Sequence, residues 1–546
     1  MESCTFNLDD SIEDLSQYYI EHGDSPFDDQ LRRVAGDQMI DIGNGVVRVP
    51  HVISVEAKKN PKKDAAIRKL IRTGFSYAGH RYKRYGKSAS QAKSGITMFV
   101  RDDVFDYLME SSTLGVPPGK CVISKYEAQR CLSMSVCTLI KAPLPRIVIV
   151  DEYTKIMPQQ YIRYVEQEDR SFIDKESGEK KKFRARVVKE GRHDVKLSPF
   201  DGCGCHTHAM SELWSSFIGL DYTAIGFQIR LPFFKGYSVE VPFREYYKEH
   251  GIKTIKDVFG REYKIDEIDC IWNISMWKAY GTFQSLFGDD GWNEYIRRLE
   301  KYEYKLGISK YSHHKKDIDL KARFNFQYLQ CLNLKNDKYY SFFNKKESET
   351  QKYDILDENN WGKIVRLASY TTSLFERVID GDKFYTLKFL GVEDTNKDAN
   401  SRYIEAAMIN DQMLKDPCLR RYLYRKLRSR IDQAKLGKIY ADGFYHTVVG
   451  DMIGYLEYAA GLEPSGCLGP WEFFCKTMPP GKILSLRSPL VCPSEVNDVK
   501  IVTNSELEKW FGHFKDQDVV MIGMYDVSMP RQGGMECPSS LLETAG

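Results

Sequence analysis

The chain has 546 residues, 42% of them hydrophobic and 28% charged, with a formal net charge of +3. That length allows three or four domains with sizeable cores, and the near-neutral balance makes the distribution of charge more telling than its sum. No run of about 18 apolar residues occurs, and the start MESCTFNLDDSIEDLSQYY lacks the charged-then-apolar order of a signal peptide, so neither a membrane partner nor secretion is predicted. The 13 scattered cysteines, an odd number without a paired framework, predict a reducing, cytoplasmic setting.

Residues 1–45 read as an acidic peripheral arm and 46–190 as a mixed α/β region. Val46 to Ala57 alternates as strand broken at Pro50, and Lys62 to Thr73 reads as a basic helix between Pro61 and Gly74. From Gly79 to Lys93 (GHRYKRYGKSASQAK), cations alternate with Tyr82 and Tyr85. Such cations suit phosphates and such rings suit base stacking, while a solvated basic loop is the plainer reading. Asp102 to Glu110 reads as a helix and Arg146 to Val150 as a buried strand. Gln159 to Val188 predicts a hairpin about Glu176-Ser177-Gly178-Glu179. Its basic run, Lys180, Lys181, Lys182, Arg184 and Arg186, reads as a solvated arm.

The densest stretch runs from Ser198 to Phe243 (SPFDGCGCHTHAMSELWSSFIGLDYTAIGFQIRLPFFKGYSVEVPF). Asp201-Gly202-Cys203-Gly204 is a tight turn, Ala209 to Ile218 a helix, and Phe227-Gln228-Ile229-Arg230 an alternating strand. Lys235 follows two phenylalanines and precedes Gly236, where a second backbone can come close. Arg230 and Lys235 are thus two cations on one β scaffold, an arrangement suited to a polyanion. Cys203, Cys205, His206 and His208 are the right side chains for zinc, but four ligands in six residues converge poorly on a tetrahedron, and packing is the favoured role.

Residues 266–460 predict a mainly helical connector, with Ile268 to Leu306 helical and Tyr311 to Lys316 (YSHHKK) a surface loop. Asn359 to Glu376 is a long amphipathic helix, and Val378-Ile379-Asp380-Gly381-Asp382 a turn into a strand from Phe384 to Phe389. Asp416 to Tyr440 combines an apolar seam (Leu419, Leu423, Leu427, Ile431) with Arg420, Arg421, Arg425, Lys426 and Arg428. So broad a cationic face suits nucleic-acid backbone. Ala441 to Ala460 reads as helical, and Lys482 to Leu486, Asn497 to Val502 and Val519 to Gly523 as strands.

The three pieces of the Ser198 to Phe243 stretch resemble, in order and spacing, the first barrel of the two-barrel RNA polymerases. These are the silencing-type RNA-dependent RNA polymerases and their single-chain phage relatives, with an Asp-Gly-x-Gly turn, an Ala-Phe-Gln-Ile-Arg strand and a Lys-Gly turn. Here Gly226 stands in the alanine position, and Cys205 where a lysine is frequent. Ser88-Ala89-Ser90-Gln91 resembles the family's Ser-x-Ser-Gln motif. Gly481-Lys482-Ile483-Leu484-Ser485-Leu486-Arg487-Ser488-Pro489 resembles its second-barrel Gly-Lys-x-Leu-x-x-Arg-Ser-Pro segment. Asp526 to Met535 resembles the lead-in to the family's Asp-x-Asp-Gly-Asp loop, which holds catalytic magnesium, yet that loop occurs nowhere in the chain. Asp380 and Asp382 lack its first aspartate and precede the arginine segment, so they read as a turn.

The resemblance implies an α+β, multidomain chain: double-psi β-barrels with helical connecting modules. The first barrel is expected at 191–265, the basic helix at 416–440, the opening of the second barrel at 461–535, and a tail without the catalytic loop at 536–546. It implies RNA synthesis on a nucleic-acid template from nucleoside triphosphates, with Mg²⁺ activating a 3′-hydroxyl where the missing loop is supplied. Lys235, Arg230 and Arg487 are the expected catalytic cations. Lys482, Arg420, Arg421, Arg425, Lys426, Arg428, Gln91 and Asp201 are expected at nucleic acid or nucleotide, Asp201 chiefly shaping its turn. The chain reads as the amino-terminal and central part of such a polymerase, inactive alone, with a second polypeptide bearing the catalytic loop as a possible partner. The alternatives are a non-catalytic nucleic-acid-binding relic or accessory subunit, a DNA-directed phage-type fragment and, last, a metal hydrolase on the Cys/His cluster.

Overall fold

The computed structural model describes residues 2–7, 20–21, 24–35, 51–56, 61–77, 79–88, 95–119, 122–174, 178–314, 321–324, 326–327, 358–390, 402–487, 490, 495–532 and 540–544. Among them no helix is long and apolar enough to cross a membrane. Cys131, Cys137, Cys203, Cys205, Cys270 and Cys475 are buried free thiols.

The amino-terminal strand Glu2–Asn7 pairs in parallel with Val52–Glu56 inside a six-stranded sheet. Helix Pro26–Ala35 buries Phe27 and Leu31, one turn apart, in a cluster with Tyr85, Met98 and Leu108. These segments are therefore part of a packed unit and not the peripheral arm that their acidity suggests. Tyr82 and Tyr85 are core residues, 0% and 2% exposed, and are not available for base stacking. Arg84 is ion-paired with Glu127.

The central unit is a curled seven-stranded sheet. Its order is Thr138–Ile140, Leu306–Tyr311, Gly226–Leu231, Phe234–Glu240, Cys203–His206, Cys270–Asn273, Ile147–Val150. Cys203–His206 runs parallel to Phe234–Glu240 and antiparallel to Cys270–Asn273. Cys270–Asn273 is a buried strand, where the aromatic run suggested helix; helices Tyr280–Phe287 and Gly291–Lys301 follow it.

The carboxy-terminal unit is a closed barrel in the order Phe444–Gly450, Val519–Ile522, Glu472–Phe474, Asn497–Ile501, Gly481–Leu486, Ser540–Thr544. The first and last of these strands close the ring and lie outside the 461–535 span expected for this unit. Phe444–Gly450 was expected to be helical, but its run Thr447-Val448-Val449 favours strand, and the helix begins only at Met452 behind the Asp451 cap. The curled sheet, here termed the first barrel, and the closed second barrel share one core, with Phe200, Tyr237, Val239 and Tyr247 from the first and Val449, Tyr455, Phe511 and Met521 from the second. Gln517 joins them by hydrogen bonds. Its Oε1 accepts from the Ile225 N–H at 3.0 Å and the Ser312 hydroxyl at 2.5 Å, and its Nε2 donates to the Thr223 carbonyl at 2.9 Å. The His313 N–H donates to Asp518 at 2.7 Å, so this histidine-bearing segment is an inter-barrel joint and not a surface loop.

The connector carries helices Glu358–Asp380, Lys383–Leu390 and Pro417–Lys435. The second is helix where a strand was predicted: Asp382 accepts the Tyr385 N–H at 3.1 Å, and Phe389 packs with Leu374, Val378 and Leu427. Between the first sheet's Ile147–Val150 and Cys203–His206 strands, a two-stranded ribbon extends, Lys155–Ile173 paired with Lys180–Leu197, as the hairpin pattern predicts.

Candidate active site

A cleft of about 140 Å³ opens between the two barrels. The first barrel contributes Ser198, Asp201, Gln228, Lys235 and Lys278; the second contributes Val448, Ile522 and Met529. One wall is thus polar with two lysines, and the other is apolar. The volume is well below that of a site enclosing a drug-sized ligand, and suits phosphate groups more than a whole nucleotide.

The turn residues hold this wall in place. Gly202 has φ +68°. Its N–H donates to Ser275 Oγ at 2.7 Å, and its carbonyl accepts the Tyr237 N–H at 2.8 Å. A Cβ on Gly236 would lie 2.9 Å from the Gly202 carbonyl and 2.4 Å from Met276, so glycine is what lets the Asp201 turn approach the Lys235 strand. The Lys278 N–H donates to the Phe233 carbonyl at 2.8 Å, tying the second lysine to the same hairpin. Lys235 and Lys278 are half-buried, which strengthens their attraction for an anion relative to open water. Burial and then the charge of Asp201 push the Glu152 carboxyl above its usual range.

The other sequence-derived residues sit elsewhere. Arg230 is 7% exposed. Its Nη1 donates to the Ile229 carbonyl at 2.8 Å, and it lies outside the cleft lining. Lys482 is exposed in register with Lys500 across the barrel, and Arg487 follows the same strand; neither lines the cleft. Gln91 lies outside the described residues. On Pro417–Lys435 the seam Leu419, Leu423 and Leu427 is buried while Arg420, Arg421, Arg425, Lys426 and Arg428 are exposed. Arg420 and Arg421, with Tyr424, also line a separate cleft of about 420 Å³ against Ile379 and Thr386.

Lys278 and the second-barrel wall were missed from sequence. Lys278 sits in a turn within an aromatic run read as helix, and its backbone partner Phe233 is 45 residues away in sequence, so only its isolation among tryptophan and tyrosine could have marked it.

The Cys/His cluster does not converge. Strand alternation sends Cys203 and Cys205 into the shared core. His206, fully buried, meets Ser238 at 2.8 Å and Ser211 at 2.9 Å, and burial drives its pKa well below the usual value. His208 contacts Glu240 at 2.9 Å. Among the described residues no group of three or more His, Cys, Asp or Glu could hold a metal ion. The magnesium implied by the resemblance is thus not matched by a donor set among the described residues.

Two interlocked β units with a lysine-bearing cleft between them are the arrangement that the resemblance to two-barrel RNA polymerases implies. Sequence comparison points the same way. The DNA-directed RNA polymerase YonO of Bacillus phage SPbeta is 25% identical over 460 residues, 82% of this chain. The chain is thus similar to a two-barrel-type RNA polymerase, and spans about half (46%) the length of this curated relative. No family model matches. Among solved structures, the RNA-dependent RNA polymerase QDE-1 from Thielavia terrestris superposes with a TM-score of 0.46 at 14% identity, over 90% of this chain and 49% of that one.

Proposed function

We propose that the chain is the nucleotide- and template-holding part of an RNA-synthesising nucleotidyltransferase. In that reaction a 3′-hydroxyl oxygen attacks the α-phosphorus of a nucleoside triphosphate, a phosphodiester forms, and pyrophosphate leaves. Negative charge develops on the phosphates as the bond to the leaving group breaks. Fixed cations stabilise it without reorganising at the moment of reaction. The single observation that carries the reading is the pair Lys235 and Lys278 on one wall of the inter-barrel cleft. Asp201 shapes the turn that bears on them. Arg230, Lys482 and Arg487 act from outside the cleft, and the arginine face of Pro417–Lys435 holds template or product backbone.

The test is binding of a fluorescent nucleoside triphosphate. Lys235→Ala and Lys278→Ala should each weaken it about tenfold or more with an unchanged melting profile. Unaffected binding in both variants, or none in the wild type, overturns the reading. The sequence has no Asp-x-Asp-Gly-Asp, which favours a second reading, a nucleic-acid-binding protein without catalysis. With primer, template, nucleotides and Mg²⁺ the chain alone should give no extension in either case, and triphosphate binding decides between them. A chain that binds nucleic acid but no triphosphate is the second kind of protein.

A further inference from the structure

The ribbon Lys155–Ile173 and Lys180–Leu197 has no counterpart in the reading so far. At about 3.4 Å per residue, its 18-residue second strand reaches on the order of 60 Å. It leads directly into Ser198, Pro199 and Asp201, so it springs from the rim of the cleft.

Its two faces differ in charge. Register places Lys180, Lys182, Arg184 and Arg186 on one face, opposite Ile173, Ser171, Asp169 and Gln167. All four cations are exposed. Among the described residues only Arg184 meets a carboxylate, Asp169 at 3.6 Å, with both side chains more than three-quarters exposed. On the other face the cations are neutralised. Lys189 lies 2.7 Å from both Glu166 and Glu168, Arg170 lies 3.4 Å from Glu168, and near the tip Lys181 pairs with Asp174. A merely solvated arm has no need to sort its charges this way. Cations at every second residue recur about every 6.8 Å along an extended strand, forming a row that follows the ribbon's twist and that a repeating polyanion can track.

We propose that this face is a docking surface for the phosphate backbone of the nucleic acid that serves the cleft, with Lys180, Lys182, Arg184 and Arg186 as its contacts. The inference rests on the nucleotidyltransferase reading for the identity of the polyanion, but not for its test.

The experiment uses the full chain and labelled 30-mers of single-stranded RNA, single-stranded DNA and duplex DNA, with affinity measured across a salt series. The variant carries Lys180→Gln, Lys182→Gln, Arg184→Gln and Arg186→Gln. The control carries Lys181→Gln, Lys189→Gln and Arg170→Gln on the paired side. The first should lose about tenfold or more in affinity, with a salt dependence shallower by about 3 in log–log slope. The control should stay within about twofold. Equal losses in both, no loss in the first, or a wild type that binds none of the probes overturns the proposal. Because the ribbon is exposed, matching melting curves separate a binding defect from unfolding. Triphosphate binding unaffected by Lys235→Ala and Lys278→Ala, with arm-dependent nucleic-acid binding intact, means that the cleft reading alone has failed; weakened triphosphate binding in those variants, with nucleic-acid binding indifferent to the arm, means that the arm proposal alone has failed.

Discussion

Gly226 stands where the family has alanine, and the structure shows the reason. A Cβ there would lie 2.0 Å from the Tyr237 hydroxyl and 2.6 Å from its ring carbon. The tyrosine ring, 4% exposed, fills the space that a smaller partner would leave to alanine. Gly226→Ala should therefore destabilise the fold by about 1–3 kcal/mol, the usual range for overpacking a dense core, and Tyr237→Phe in the same chain should recover part of it. Denaturant unfolding of the single and double variants checks this; a neutral Gly226→Ala would mean that the ring moves freely. Gly236 teaches a related lesson. Its neighbour across the gap, Gly202, was already legible in sequence as a turn glycine, but the contact between them was not. Lys235 was legible too, because a lysine between aromatics and glycine is a local pattern. Lys278, which shares the cleft, was not.

Helix Pro417–Lys435 shows how far a single element can be read. Its leucine seam, its arginine face and its start were all evident, and Asp416 accepts the N–H groups of Cys418 and Leu419 at 2.9 Å each. Asp416→Ala should cost about 1 kcal/mol and fray the first turn, where Arg420 and Arg421 sit. Amide exchange at Cys418 and Leu419 should quicken relative to residues near Leu427; equal protection would show that packing alone holds the turn. Elements that failed had competing signals. Lys383–Leu390 carries β-favouring aromatics, yet the Asp382 cap and the burial of Phe389 against Leu374 made it helix. Phe444–Gly450 lay inside the helical reading of Ala441 to Ala460, and its β-branched run together with its barrel partners made it strand.

At the scale of the molecule, the barrels are one body because Gln517, 5% exposed, meets Thr223, Ile225 and Ser312, which lie 294, 292 and 205 residues away in sequence. Gln517→Ala removes all three bonds and leaves buried partners short of a donor or acceptor. It should lower stability by about 2–4 kcal/mol and loosen triphosphate binding, since the two walls of the cleft belong to different barrels. A variant that melts like the wild type would show that the shared apolar core suffices. The core is extensive: a Cβ on Gly450 of the second barrel would already sit 2.4 Å from the Pro199 carbonyl of the first.

By itself the sequence determined the features whose causes are local. These are the amphipathic helix 417–435, the long hairpin, the Asp201 turn, the Lys235 turn, and the ordered motifs that point to the family. Each follows from side-chain period or backbone freedom within a dozen or so residues. The tertiary structure alone decided which side chains meet. It put Tyr82 and Tyr85 into a core, sent Cys203 and His206 to opposite sides of a strand, brought Lys278 beside Lys235, and faced them with Val448 and Met529. Those outcomes depend on pairings between strands far apart in the chain, and period within one strand says which residues share a face but not what that face will meet.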